Sequence, residues 1–186
     1  MINVPLSWGK PKLFIAKITD GTRGDWVQLA TPIEDSTNLA TTQGDKMEAK
    51  IEGGENEAVK YKKNTYQLTY NIRKAMGRNQ PAPNNDGVVT GEYAVLLQPE
   101  DPSTDGFFIE RTAMNIQDNF TTAEGAIWNV THDALSPSKG NTVKWGTVTV
   151  EDETTKTINF AENSEMAADP SDTYSFDRAE TWAYND

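Results

Sequence analysis

The sequence predicts an all-β, mainly antiparallel fold: a β-sandwich or barrel-like single domain spanning residues 1–186. A long hairpin and at most one short flanking helix complete the expectation. Three observations carry it. Turn signals recur at roughly the 8–12-residue spacing of sandwiches and barrels. No window sustains a helical period, which argues against alternating strand–helix units. The apolar fraction is low at 36%, yet five Trp, six Tyr and six Phe are present. That combination suits thin, half-buried sheets and argues against disorder.

The first strand is placed at Lys12–Ile18. Leu13 and Ile15 share one face and Phe14, Ala16 and Ile18 the other, so both faces are apolar and both should be covered. Asp20–Gly24 is turn chemistry, and a short strand at Trp26–Leu29 ends before Pro32. Thr31–Asp45 is polar and reads as a loop. Lys46–Glu52 alternates Met47, Ala49 and Ile51 against Lys46, Glu48, Lys50 and Glu52. Gly53–Gly54 permits the positive φ angles of a turn. Val59–Arg73 is read as the long partner strand of this hairpin, with Tyr66, Leu68, Tyr70 and Ile72 on one face.

Ala75–Gly87 is rich in Gly, Pro and Asn and reads as a surface loop. Further strands are expected at Val88–Gln98, with a bulge at Gly91, and at Phe107–Ile116 and Ala126–Leu135. Two more follow at Asn141–Val150 and Thr157–Phe160. The one brief helix is expected at Ala161–Asp169 before Pro170, with Asn71–Gly77 as the alternative.

The formal net charge is −11. A chain so acidic lacks the Lys/Arg surface that contacts phosphates, so specific DNA binding is not expected. There is no cysteine, which removes disulfides and thiolate zinc sites. The N-terminus shows no basic stretch leading into an apolar run, and no segment is long enough to cross a bilayer. Synthesis in a cytoplasm is the expectation, and the sequons at Asn119 and Asn129 then carry no weight.

No catalytic constellation emerges, and the chain is expected to be neither an enzyme nor a cofactor-binding protein. His132 is the single histidine, and the adjacent Asp133 points to the opposite face of a strand. Glu48, Glu52, Glu55 and Glu57 cluster, but lysines at 46, 50, 60, 62 and 63 interleave with them. Mixed charges of this kind suit a solvated face or a subunit contact better than a glycosidase pair. Asp101–Gly106 and Asn84–Gly87 lack the spacing of a calcium loop and read as turns. Trp8, Trp26, Trp128, Trp145 and Trp182 are expected in cores or interfaces, with a sugar-stacking platform as the alternative.

Several segments together resemble the bacteriophage major tail tube proteins. They are IEDST (33–37), GDKMEA (44–49), IEGGE (51–55) and KNTYQL (63–68), then VLLQP (95–99), FFI (107–109), IWNV (127–130) and ALSP (134–137). The resemblance implies a β-sandwich with a flanking helix, assembled into hexameric rings that stack into a hollow tube. It implies a virion (tail) protein, made in the host cytoplasm, whose partners are other copies of itself and other tail proteins. DNA would pass through without specific binding, and no membrane is involved. A long hairpin would bridge to the next ring, and the segment from Gly44 to Ile72 is the candidate. Its proposed inter-subunit contacts are Lys46, Glu48, Glu52, Glu55, Glu57, Lys60 and Lys62. The competing expectation is a non-catalytic β-sandwich module that binds carbohydrate or another protein.

Overall fold

The computed structural model describes residues 4–151, 157–163 and 180–185. The early strands are β1 (Lys12–Thr19), β2 (Thr22–Arg23), β3 (Trp26–Gln28) and β4 (Asn38–Thr42). Then come β5 (Lys46–Lys50), β6 (Asn56–Tyr61), β7 (Thr65–Arg73) and β8 (Asn84–Asn85). The later strands are β9 (Val88–Gln98), β10 (Gly106–Thr121), β11 (Gly125–Ala134), β12 (Val143–Glu151), β13 (Thr157–Glu162) and β14 (Glu180–Asn185). Among the described residues there is no helix, so the fold is all-β.

The pairing β9–β10–β12–β13–β14–β3–β1 returns to β9 and closes a barrel. Every pairing in it is antiparallel except β14 with β3. Closure leaves these strands without an open edge. Even-numbered positions fill the interior: Phe14, Ala16, Trp26, Ala94, Leu96, Phe108, Val148, Ile158 and Phe160 form one buried cluster. Trp26 meets Phe108 edge-on at 6.1 Å. Lys144 also points inward; it is buried, its Nζ lies 3.3 Å from Glu110 Oε2 and 5.7 Å from the Phe108 ring centre.

A second sheet, β4–β7–β11–β10, packs on the barrel's outer face. Leu68, Tyr70 and Ile72 of β7, Met114 and Ile116 of β10, and Trp128 and Val130 of β11 meet Leu13, Ile15, Val95, Ile109 and Val143 from the barrel strands. Burying each of these large side chains contributes roughly 1.5–3 kcal/mol. The two-sided burial predicted for β1 is observed: Leu13 and Ile15 serve this cluster, Phe14 and Ala16 the barrel interior.

β10 joins the two layers. Its first residues, Gly106–Ile109, pair with β12, and Thr112–Thr121 pair with β11. The register against β9 shifts between Ile109 and Thr112 and again between Ala113 and Asn115. The second shift falls opposite Gly91, whose φ of 91° marks the expected bulge. Gly106 and Gly146 sit opposite each other where β10 meets β12. A Cβ at Gly146 would lie 2.1 Å from the Ala161 carbonyl oxygen, and one at Gly106 2.0 Å from that of Leu97. We expect Gly146→Ala to cost about 1–3 kcal/mol of unfolding free energy in a urea titration, because backbone must move to admit the methyl group.

Three expectations are corrected. Thr31–Asp45 is not all loop, because Asn38–Thr42 forms β4 against β7. The helix at Ala161–Asp169 does not begin at Ala161: that residue and Glu162 are strand, opposite Thr147 and Gly146, and positions 164–169 lie outside the described residues. Asn71–Gly77 is not helical either, since Asn71–Arg73 pair with β11 and Ile72 is buried there. In each case sheet pairing overrides weak local propensity.

Candidate assembly surface

The long hairpin is divided. β5 and β6 form a two-stranded sheet of their own, while Thr65–Arg73 leave it to pair with β4 and β11. The break has a local cause. The Gly44 N–H donates to Asn64 Oδ1 at 3.1 Å, and a Cβ at Gly44 would lie 2.1 Å from the Lys62 carbonyl oxygen. The Lys62 N–H donates to the Asp45 carbonyl at 2.9 Å and fastens the base of the ribbon. Thus the clean alternation of Tyr66, Leu68, Tyr70 and Ile72 belongs to the main sheet, where the last three are buried.

The ribbon is exposed along both strands and both faces. A lone two-stranded hairpin is marginally stable in water. This one also displays Met47 (56% exposed), Ile51 (47%), Val59 (44%) and Tyr61 (54%). Large apolar side chains gathered on an unsupported ribbon mark a contact surface.

The predicted contact residues distribute around this ribbon. Lys46 and Glu48 are on β5 and bound to each other, with Lys50 Nζ 3.6 Å from the same carboxylate. The Lys46 ammonium holds the Glu48 carboxyl below its usual range, and the pairing raises Lys46. Glu57 and Lys60 are on β6, Glu52 and Glu55 at the tip, and Lys62 at the base, its Nζ 2.9 Å from Asp45 Oδ2. Between Asp45 and Lys63 there are five acids and five lysines, so the ribbon is neutral in a chain of net charge −11. A neutral arm approaches a second acidic chain without net repulsion. The charges stand out in the sequence; the exposure of Met47, Ile51, Val59 and Tyr61 emerges only from the fold.

His132 is not part of the ribbon: it pairs with Leu68 of β7 and is buried in the layer between sheet and barrel. Thr112 Oγ1 donates to the Tyr93 carbonyl at 2.7 Å, which uses its single proton. The contact between Thr112 Oγ1 and His132 Nδ1, at 2.9 Å, must therefore carry the imidazole proton. That leaves Nε2 to accept from the Tyr70 hydroxyl at 2.9 Å. Each polar atom in this chain has a partner, which is the arrangement a buried structural histidine needs. Asp133 faces the other side of the sheet and bonds Gln67 at 2.8 Å.

The remaining candidates resolve as turns and packing. Asp101 Oδ1 accepts from the Ser103 N–H and hydroxyl at 2.9 and 2.7 Å. Asp86 and Gly87, both with positive φ, form the two-residue turn joining β8 to β9. Among the described residues no three His, Cys, Asp or Glu side chains gather as a metal site, and no helix is long and apolar enough to cross a membrane. Of the four tryptophans with described side chains, Trp26 and Trp128 are buried, Trp145 is half-buried against Phe107, and Trp8 is 76% exposed. Trp8 and Trp145 both line a cleft of about 650 Å³ beside the N-terminal strap, residues 7–11. Comparison with protein-family models and with curated proteins found no match.

Proposed function

We propose that this chain is a structural assembly protein, a subunit of a phage tail tube whose hexameric rings stack into a DNA conduit. The observation that carries the reading is the β5–β6 ribbon: a neutral, apolar-studded arm that its own protomer leaves uncovered. The resemblance of eight segments to tail tube proteins supports it. So does the charge, since a strongly acidic ring repels phosphates and lets a polyanion pass without binding. A binding module for carbohydrate is less well supported: it needs two indoles exposed in one plane, and Trp145 is half-buried. Sedimentation velocity over a rising concentration series tests the reading. The expected result is a reversible increase toward the mass of six chains and beyond; a single monomeric species throughout counts against it.

A further inference from the structure

We infer that the Met47 face of the β5–β6 ribbon seats in the cleft beside the N-terminal strap of a second copy of this chain. The inference rests on the assembly reading above and names the receiving surface.

The two faces of the ribbon differ. Cross-strand partners share a face, so the pairs Lys46–Tyr61 and Glu48–Val59 mark one side, and Met47–Lys60 and Ala49–Ala58 the other. On the first side Lys46, Glu48 and Lys50 are engaged with one another, beside Val59 and Tyr61. The second side is apolar: Met47, Ala49 and Ala58, continued at the tip by Ile51, with Lys60 beside them. No salt bridge to Lys60 is formed among the described residues, so its charge is available to a neighbour.

The cleft is complementary. Leu97, Phe107 and Trp145 supply apolar lining, and Glu34, Asp35 and Asp105 supply acid. Lys10 is the one basic side chain among the described residues of its lining. The volume, about 650 Å³, accommodates several side chains. No residue of the ribbon is among those that line the cleft of its own chain. The ribbon leaves the sheet at the Thr42–Thr65 end of the β4–β7 pair, whereas the cleft is lined by Thr37 and Leu39 toward the other end. The contact is therefore heterologous, arm to cleft. A heterologous contact repeats from copy to copy and yields a closed ring or an open stack.

The chain has no cysteine, so an introduced pair reports its own proximity. Ile51→Cys places a thiol on the ribbon's apolar face, and Thr31→Cys places one on the cleft lining. Under mild oxidation the double variant should give a ladder of disulfide-linked dimers, trimers and higher species. Ile51→Cys combined with Asn119→Cys, on an exposed position of β10, should not. In parallel, Lys60→Glu should weaken self-association by about tenfold or more, and Glu34→Lys should restore it. Association without the preferential ladder and without rescue overturns this inference and leaves the assembly reading standing. A chain that is monomeric at every concentration overturns both.

Discussion

Between pH 6.5 and pH 4.5 the protein should lose about 2.3 kcal/mol of unfolding free energy through His132 alone, an average of about 1.2 kcal/mol per pH unit. The unfolded chain protonates this histidine near the ordinary value of 6.5; in the folded chain burial pushes it down to about 3. The unfolded state's proton excess grows from about half a proton at pH 6.5 to nearly one at pH 4.5, so stability falls as the pH falls. The structural cause is plain. A second ring proton at Nε2 would face the Tyr70 hydroxyl, which now donates to that nitrogen, and the resulting charge would sit among apolar groups. Burial also raises the Tyr70 phenol, keeping it a neutral donor. The carboxylates of Glu92 and Glu110 lie below 4.5, held there by Arg111 and by Ser138 and Lys144 respectively, so their losses come at lower pH. Glu162 is raised by burial and acts in the opposite sense. Comparing wild type with His132→Gln cancels these background terms. Urea titrations at pH 6.5, 5.5 and 4.5 should show the wild-type slope steeper by that amount. Parallel slopes would mean that His132 titrates normally, and the buried network would be wrong.

Replacing residues 46–61 by a short Gly-containing turn should abolish assembly while sparing the fold. The ribbon contributes nothing to either buried cluster, and all its strand positions are exposed. Its base is already closed by the Asp45–Lys62 backbone bond and the Gly44–Asn64 contact. The urea midpoint should therefore move little, within about 0.5 kcal/mol in free energy, as for surface changes away from packed features. Self-association should fall below detection, because deletion removes Met47, Ile51, Val59 and Tyr61 together. A deletion variant that still assembles would place the inter-subunit contact elsewhere. One that unfolds would make the ribbon part of the fold rather than an arm.

How much of this was legible in the sequence depends on the kind of signal. β1 was readable on both faces because Leu13, Phe14, Ile15 and Ala16 leave no polar face to give to solvent. β4 was not, because an exposed edge strand of Asn, Ala and Thr needs only Leu39 inside. The run from Val59 to Arg73 read as one strand, since nothing in its alternation reports the sheet change at Lys62–Asn64. The break is set by a contact with Gly44, 20 residues away. At the candidate site the charged residues stood out by composition. The apolar ones did not, because an alternating Met47–Ala49–Ile51 looks the same whether its partner is the chain's own core or another copy. Lys144 shared a face with Val148 and Val150, and only the fold brings Glu110 to it.

Negative-stain electron microscopy of the concentrated protein, beside the ribbon-deleted variant, tests the assembly claim most directly. The expected images show six-fold rings with a central hole, and stacks of them, for wild type and none for the variant. Fields of isolated monomers from the wild-type chain at every concentration would contradict the account.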